Sequence, residues 1–395
     1  MHHYTLDELH RLTAAAYQYN EQLQQQAQLL LDEHYSYDGV GNRLTDSTDA
    51  HGGSWQYNVN HQLTERPEYV YTYDANGHTL SKTETGTGIV TQFQYDITER
   101  LTAVSKTDQN GTTPLGQYRY DPFGRRVRKV SQSETLYFHY DDTGLLAEYD
   151  AQGNLVREYQ YTPGSTWMTK PLFLRDVQTG KVHYYYNSHL GQPLKLFDRQ
   201  GRTTWEARSQ AFGELLVVVE EVENRLRFPG QYFDGETGLY HNYHRDYGAG
   251  TGRYFQRDPL GIYGEFSFFN YARSNPLTYV DWLGLRAKGP GSKGVGHLPV
   301  GECDYDVCMT TCLSQYVHTS HCQIKCVDKL TCHPDEPDLP RNPDDGRKND
   351  DPICDPRWTQ CKCEQFKRWR KGDVDQDEPT CGCRKSELEP SRRLA

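Results

Sequence analysis

Two aspartates stand where two carboxyl groups could do chemistry together. Asp258 and Asp281 head two similar pentads, DPLGI and DWLGL, each with Gly at its fourth place and an aliphatic residue at its fifth. Eighteen residues separate the pentads. Paired carboxyl groups can divide the work of hydrolysis: one, ionised, activates water, and the other, protonated, assists a carbonyl. Like charges at short range force their titrations apart, which makes that division available. The pentads also lie on a border in composition. The chain before them is rich in tyrosine and has no cysteine, and all eleven cysteines come after them. A paired-Asp motif on such a border points to a cutting or packaging point. The competing reading is that both residues cap turns, the commoner use of Asp-Pro and Asp-x-x-Gly.

The cysteines are the second set with chemical potential. Cys308, Cys312, Cys322 and Cys326 follow the pattern C-x3-C-x9-C-x3-C. Cysteines four apart share one face of a helix, so a stapled helical hairpin would pair Cys308 with Cys326 and Cys312 with Cys322. Two C-x-C pairs, Cys361 with Cys363 and Cys381 with Cys383, offer four thiolates for a zinc ion. Disulfides remain the competing use, because a small polar segment has little core of its own. Redox catalysis has the weakest support, since the chain has no C-x-x-C. His318, His321 and His333 lie among these cysteines and read as solvated surface residues, as does the short basic run KRWRK at 367–371.

Bulk properties bound the elements that must hold these residues. At 395 residues the chain has room for two or three domains. Mean hydropathy is −0.88, which argues against a large aliphatic core. Thirty tyrosines take its place; each buries a ring and keeps a polar tip. Net charge is −11, with 25 basic and 35 acidic residues in 1–285 and 18 and 19 in 286–395. Neither part has the basic excess of a general nucleic-acid binder. No aliphatic run is long enough to span a bilayer, and the first residues, MHHYTLDELH, lack the features of a signal peptide. Export would then need a specialised system or carrier, following synthesis in the bacterial cytoplasm. The crowding of cysteines suits an oxidising destination or a metal.

Residues 1–160 repeat a unit: aromatic-x-Tyr-Asp, a turn, then often Arg-Leu or Gln-Leu. Examples are YSYDGVGNRL from Tyr35, YTYDANGHTL from Tyr71, FQYDITERL from Phe93 and YRYDPFGRRV from Tyr118. Asp or Asn anchors at 7, 38, 58, 74, 96, 121 and 141 recur about every 22 residues, the length of a hairpin and its return. Aromatics at i and i+2 share one face of a strand, and Asp with Gly supplies the turn. An Arg on the return strand can lie over the rings. One such hairpin is marginal alone, so the units must pair into a long, curved antiparallel sheet. The stretch EQLQQQAQLLLDEH from Glu21 interrupts this text and reads as a short helix or an irregular insertion.

The repeats resemble the YD repeats of Rhs proteins, of Tc toxin C subunits and of the teneurin shell. HLGQPLKLFDRQGRTTWEARSQAFGE from His189 and FPGQYFDGETGLYHNYHRDYGAGTGRYFQRDPLG from Phe228 resemble the Rhs-associated core, and the pentads resemble that family's paired motif DPxGL. The resemblance implies a mainly β fold: a spiralling antiparallel YD-repeat shell segment, here an incomplete cage, then a small cysteine-rich, partly helical C-terminal domain. The expected divisions are 1–183 for the repeat sheet, 184–285 for the core, 286–302 for a Gly-rich linker and 303–395 for a variable tail. It further implies an intramolecular aspartyl protease with Asp258 and Asp281 as acids, Arg257 as the adjacent helper and Leu285–Arg286 as the scissile bond. Trp282 departs from the Pro of the family motif. Proline fixes φ and lacks an N–H, so the backbone beside Asp281 is changed.

These features together read as the C-terminal part of a polymorphic toxin. No cofactor is required, and zinc belongs only to the tail. The partners implied are the rest of a shell or a secretion carrier, and a cognate immunity protein for the tail. A glycan-binding adhesion module with a structural tail, and a truncated silent cassette, are the alternatives.

Overall fold

The computed structural model describes residues 2–19, 29–49, 52–261 and 267–289, and the backbone of 358–364 and 380–385. Residues Met1–Ser292 form one compact unit and Lys293–Ala395 a second.

The repeat unit is built on its turn. Oδ1 of the anchoring residue accepts the N–H groups two and four residues on. Asp74 takes those of Asn76 at 3.0 Å and His78 at 2.9 Å, and Asp121 takes those of Phe123 and Arg125 at 2.9 Å each. The third residue of the turn has a left-handed backbone. Gly41, Gly77 and Gly124 adopt it freely, while His10, His61 and Glu99 hold φ of 60°, 60° and 68° in the same place.

The tyrosine before the anchor joins one unit to the next. Its hydroxyl donates to the carbonyl oxygen of the residue five beyond the previous anchor. Tyr37 reaches Leu12 (2.8 Å), Tyr57 reaches Arg43 (2.6 Å), Tyr73 reaches Leu63 (2.8 Å) and Tyr95 reaches Thr79 (2.9 Å). Tyr120 to Leu101 at 2.7 Å and Tyr140 to Arg126 at 2.8 Å repeat it. Where the turn ends in Arg, that side chain returns to its own anchor and covers the next tyrosine. Arg100 Nε donates to Asp96 Oδ2 at 3.1 Å, and its guanidinium lies 5.0 Å over Tyr120.

Stacked in this way, sixteen consecutive strands from Gln56–Tyr57 to Leu215–Glu220 form one antiparallel sheet in sequence order, without a crossover. Its two end strands differ, so the sheet is open rather than a closed barrel. It runs without a break through position 184. Four strands ahead of it, His2–Leu6, Leu12–Tyr17, Glu33–Tyr37 and Arg43–Asp46, make a separate small sheet. Glu33 and His34 thus begin a strand, paired to Ala15 and Ala14, so the short helix or irregular insertion expected over 21–34 does not extend to them; residues 20–28 lie outside the described set.

A second small sheet, Tyr232–Asp234, Leu239–Asn242, Arg245–Gly248 and Arg253–Tyr254, carries the functional site. It and the segment after it lie along the row of repeat turns. Asn275 Nδ2 reaches His10 O (2.9 Å), Asn270 Nδ2 reaches Gly41 O (2.6 Å) and Arg253 Nη2 reaches His61 O (2.6 Å). Tyr243 Oη reaches Phe123 O at 2.8 Å. A buried bidentate pair, Arg126 to Asp234 at 2.5 and 2.9 Å, ties this plug to the sheet. Lys129 adds Glu236 at 3.1 Å. Burial raises the Asp234 carboxyl, but Arg126 and Lys129 outweigh it and hold the group below its ordinary value.

In the second unit, Trp358–Glu364 and Thr380–Lys385 form an antiparallel ribbon. The partly helical tail expected from the sequence finds no support there, since the described residues of this unit are all strand. The hairpin pairing of Cys308 with Cys326 and Cys312 with Cys322 lies outside the described residues.

Candidate active site: two buried aspartates around one arginine

The fold brings Asp258 and Asp281 together. They are 3% and 2% exposed, and between them lies Arg245, 1% exposed. Arg245 Nη2 is 3.0 Å from Asp258 Oδ2 and 3.2 Å from Asp281 Oδ2. A two-residue turn places this arginine: Asn242 pairs with Arg245, and Tyr243 takes the left-handed conformation. Its Nε donates to Gly284 O at 2.5 Å and its Nη1 to Phe268 O at 3.2 Å. The guanidinium plane lies 3.7 Å over the ring of Tyr254, a cation–π contact in a desolvated place.

Tyr254 completes the surroundings of Asp281. Its hydroxyl donates to Asp281 Oδ2 at 2.9 Å and accepts from Asn242 Nδ2 at 2.8 Å. Burial, and then the Asp281 charge, raise the phenol well above its ordinary value, so it stays a donor. Asn242 Nδ2 also holds the Asp281 carbonyl oxygen at 2.7 Å.

The other oxygen of Asp281 faces the border itself. Oδ1 accepts the N–H of Leu285 at 2.9 Å and of Arg286 at 3.1 Å. The nitrogen of the Leu285–Arg286 bond is therefore in direct contact with one of the two acids. Asp258 Oδ1 accepts Leu260 N–H at 2.8 Å, and Asp258 N–H donates to Phe268 O at 2.9 Å. Turn capping and proximity to the border coexist in the same side chains.

Arg257 has a different place. It is exposed, and its guanidinium lies 4.5 Å over Phe268. The cation that touches both acids is Arg245, thirteen residues before Asp258, and sequence adjacency passed over it. A signal was available: HRDYGAGTGRY sets Arg245 and Tyr254 on two strands joined by a tight Gly-rich turn.

Trp282 fits because Gly230 lacks a side chain. A Cβ there would lie 2.0 Å from Trp282 O. Gly284, at φ 68°, has the same role, since a Cβ would meet Asn242 O at 2.5 Å. Beyond the border, Val280 and Lys288 exchange backbone hydrogen bonds of 3.0 and 2.8 Å, and Ala287 is buried. The first residues of the stretch expected to be a loose linker, 286–289, belong to this knot.

In the ribbon of the second unit Cys361 stands opposite Cys383 and Cys363 opposite Cys381. Alternation along a strand places all four positions on one face. Among the described residues with side chains, no group of three or more metal-binding residues is present, and no helix is long and apolar enough to cross a membrane.

The chain resembles toxins. It is 28% identical over 298 residues to double-stranded DNA deaminase toxin A of Burkholderia cenocepacia, covering 68% of this chain and 20% of that protein. It is 31% identical over 272 residues to tRNA nuclease WapA of Bacillus subtilis, covering 64% and 11%, and 26% identical over 245 residues to toxin protein Tse5 of Pseudomonas aeruginosa, covering 54% and 18%. The chain thus spans a fifth or less of the length of these relatives. Among solved structures, the Photorhabdus luminescens Tc holotoxin pore matches at 17% identity with a TM-score of 0.40, over 75% of this chain and 18% of that one. The family model of the teneurin YD-shell matches residues 4–276, more than half of the sequence; this chain belongs to that family, as an Rhs/YD-repeat protein.

Proposed function

We propose that this chain is the C-terminal part of a polymorphic Rhs-type toxin, in which sheet and plug carry a variable effector tail and cut it free after Leu285. The observation that carries the reading is the contact of Asp281 Oδ1 with the amide nitrogen of Arg286, while Oδ2 shares Arg245 with Asp258. One carboxylate takes a proton from water as it attacks the Leu285 carbonyl. The other gives a proton toward the tetrahedral intermediate, whose collapse breaks the C–N bond and leaves a Leu285 carboxylate and an Arg286 amine. Arg245, within reach of both side chains, stabilises the one that is ionised while the other carries the proton. The substrate is already attached, so its effective concentration is high and a modest site suffices for one turnover.

On this reading the tail, residues 303–395, is the effector, Cys361, Cys363, Cys381 and Cys383 hold zinc or two cross-strand disulfides, and a cognate immunity protein protects the producer. Assembly with further shell and a secretion carrier supplies the export route. The test is intact mass after expression. A break between Leu285 and Arg286 that is absent in Asp281→Asn supports self-cutting, and a wild-type chain that stays whole overturns it. Growth arrest on expressing 286–395 alone tests the toxin role.

A further inference from the structure

One buried histidine outside the dyad touches the segment that carries Asp258. His78 ends the repeat turn anchored by Asp74 and is 1% exposed. Its Nδ1 accepts the backbone N–H of Arg257 at 3.3 Å, the residue directly before Asp258. Two residues earlier, Phe255 O accepts the N–H of Thr79 at 2.9 Å. Residues 255–257 are therefore held on the end of the 74–78 turn by two hydrogen bonds, one backbone to backbone and one from the Arg257 amide to the His78 ring. Gly77 lies beside the same segment: a Cβ there would be in van der Waals contact with the Arg257 side chain at 3.5 Å.

We propose that His78 is a positioning residue for Asp258, holding the backbone that delivers this carboxylate to Arg245 through an imidazole acceptor at Nδ1. The inference rests on the self-cutting reading above. At the equivalent place in other turns stand Asn42, Gln62, Arg100 and Arg125, so the turn itself does not need histidine. What distinguishes this turn is that its fourth residue accepts a main-chain N–H from the segment that leads into the first pentad.

An acceptor nitrogen of histidine is also one that protonation removes. A proton on Nδ1 turns it into a donor facing another donor, and the bond to Arg257 is lost. Four features face the ring: Asp74 on its own turn, Glu99 on the next turn with Oε1 3.9 Å from Nε2, the Arg257 charge, and the Tyr95 ring at 5.1 Å. Burial foremost, with Arg257, outweighs Asp74 and holds the imidazole below its ordinary value. The acceptor form is thus present at neutral pH, and its loss belongs to more acid solution.

The experiment follows cutting of the full chain during cell-free synthesis, with a chase at pH 5 to 8 and product read by intact mass. Wild type, His78→Asn, His78→Leu and Asp281→Asn are compared, each also checked for native protease resistance. Asparagine keeps an acceptor near Nδ1 that acid does not remove; leucine keeps bulk alone. The expected result is that His78→Leu cuts about tenfold slower or worse. His78→Asn should stay within about threefold of wild type at pH 8 and keep its rate where wild type slows on the acid side. A folded His78→Leu that cuts as fast as wild type, or a His78→Asn profile that follows the wild-type profile down in acid, overturns the inference and leaves the self-cutting reading intact. If no chain is cut, both fall together.

Discussion

The repeat turns and the twin pentads use the same residue for different ends. In a repeat, Asp121 spends Oδ1 on two amides of its own turn and Oδ2 on Arg125 Nε at 2.7 Å, beside solvent. In the pentads, Asp258 spends Oδ1 on the amide of Leu260, as a repeat anchor would, yet its Oδ2 meets a cation from another strand. Asp281 goes further, since the amides it holds are those at the border, and its Oδ2 has both Arg245 and Tyr254. Local turn chemistry is the shared foundation. Burial around a nonlocal arginine is what separates a structural aspartate from one placed to react, because the low-dielectric site makes every charge there stronger and less replaceable.

The sharpest way to break this contrast is one substitution made in both regions. Asp258→Asn should reduce cutting at Leu285 by about a hundredfold or more, the scale of lost acid–base catalysis, as read by intact mass. Asp121→Asn should leave cutting unchanged and shift stability by less than about 1 kcal/mol, because Asn58 already anchors a turn with the same Oδ1 contacts. Equal loss of cutting in both would erase the distinction.

The ion pairs at the plug give the next largest effect. Arg126→Met leaves buried Asp234 with Lys129 alone, 3.4 Å away, and should cost about 3 kcal/mol in denaturant unfolding. Acid acts on the same groups. The carboxyls of Glu134, Glu148 and Asp234 are pushed up by burial but held below ordinary values by arginine and lysine neighbours. Depressed folded values mean that their contribution is complete above the unfolded pKa, about 4, and is lost as pH falls through the folded values. The share of stability that these three carboxyls supply should therefore be level above about pH 5 and decline below about pH 4, where the gap between wild type and Arg126→Met should narrow.

Glycines extend the comparison to the backbone. Gly153→Ala, in a turn with open space at the Cβ position and φ of 79°, should cost about 1–2 kcal/mol for the left-handed conformation alone. Gly230→Ala adds a collision with Trp282 O to that strain and should cost about 3 kcal/mol or more, with slower cutting. Thermal unfolding of the two variants checks the order.

Much of the sheet was legible because its information is local. Aromatics at i and i+2, an Asp at the turn and an Arg on the return each act within about five residues or on the adjacent unit, so the repeat discloses them. His10, His61 and Glu99 depart from the expected turn glycine, and there the row of tyrosine bonds holds a strained backbone that the turn alone would not choose. Glu33 shows the opposite failure: its Gln- and Leu-rich stretch reads as a short helix or an irregular insertion, yet pairing with Ala15 and a bond from Tyr35 Oη at 2.6 Å make Glu33 strand. The pairing of the two acids was legible from their repeated pentads. Arg245 was legible only as a strand neighbour of Tyr254 across the Gly-rich turn of HRDYGAGTGRY; its contact with both acids depends on how that hairpin meets residues 258 and 281, which no spacing expresses, whereas Arg257 is adjacent to Asp258 only along the chain.

The smallest change is also the most discriminating: removal of one hydroxyl. Tyr95→Phe and Tyr254→Phe each delete a single buried donor. Tyr95 gives its proton to the Thr79 carbonyl oxygen, one link in a long row, and the loss should cost about 1 kcal/mol in unfolding with no effect on cutting. Tyr254 gives its proton to Asp281 Oδ2. Its loss should cost a similar amount in unfolding, since Asn242 and Arg245 still hold the segment, but should change the rate of cutting severalfold, because Oδ2 of Asp281 loses the hydroxyl that orients it. The two variants then agree in stability and differ in chemistry. If Tyr254→Phe cuts with the wild-type rate, the hydroxyl at Asp281 is one more strut of the plug, and the difference between the two regions narrows to the arginine alone.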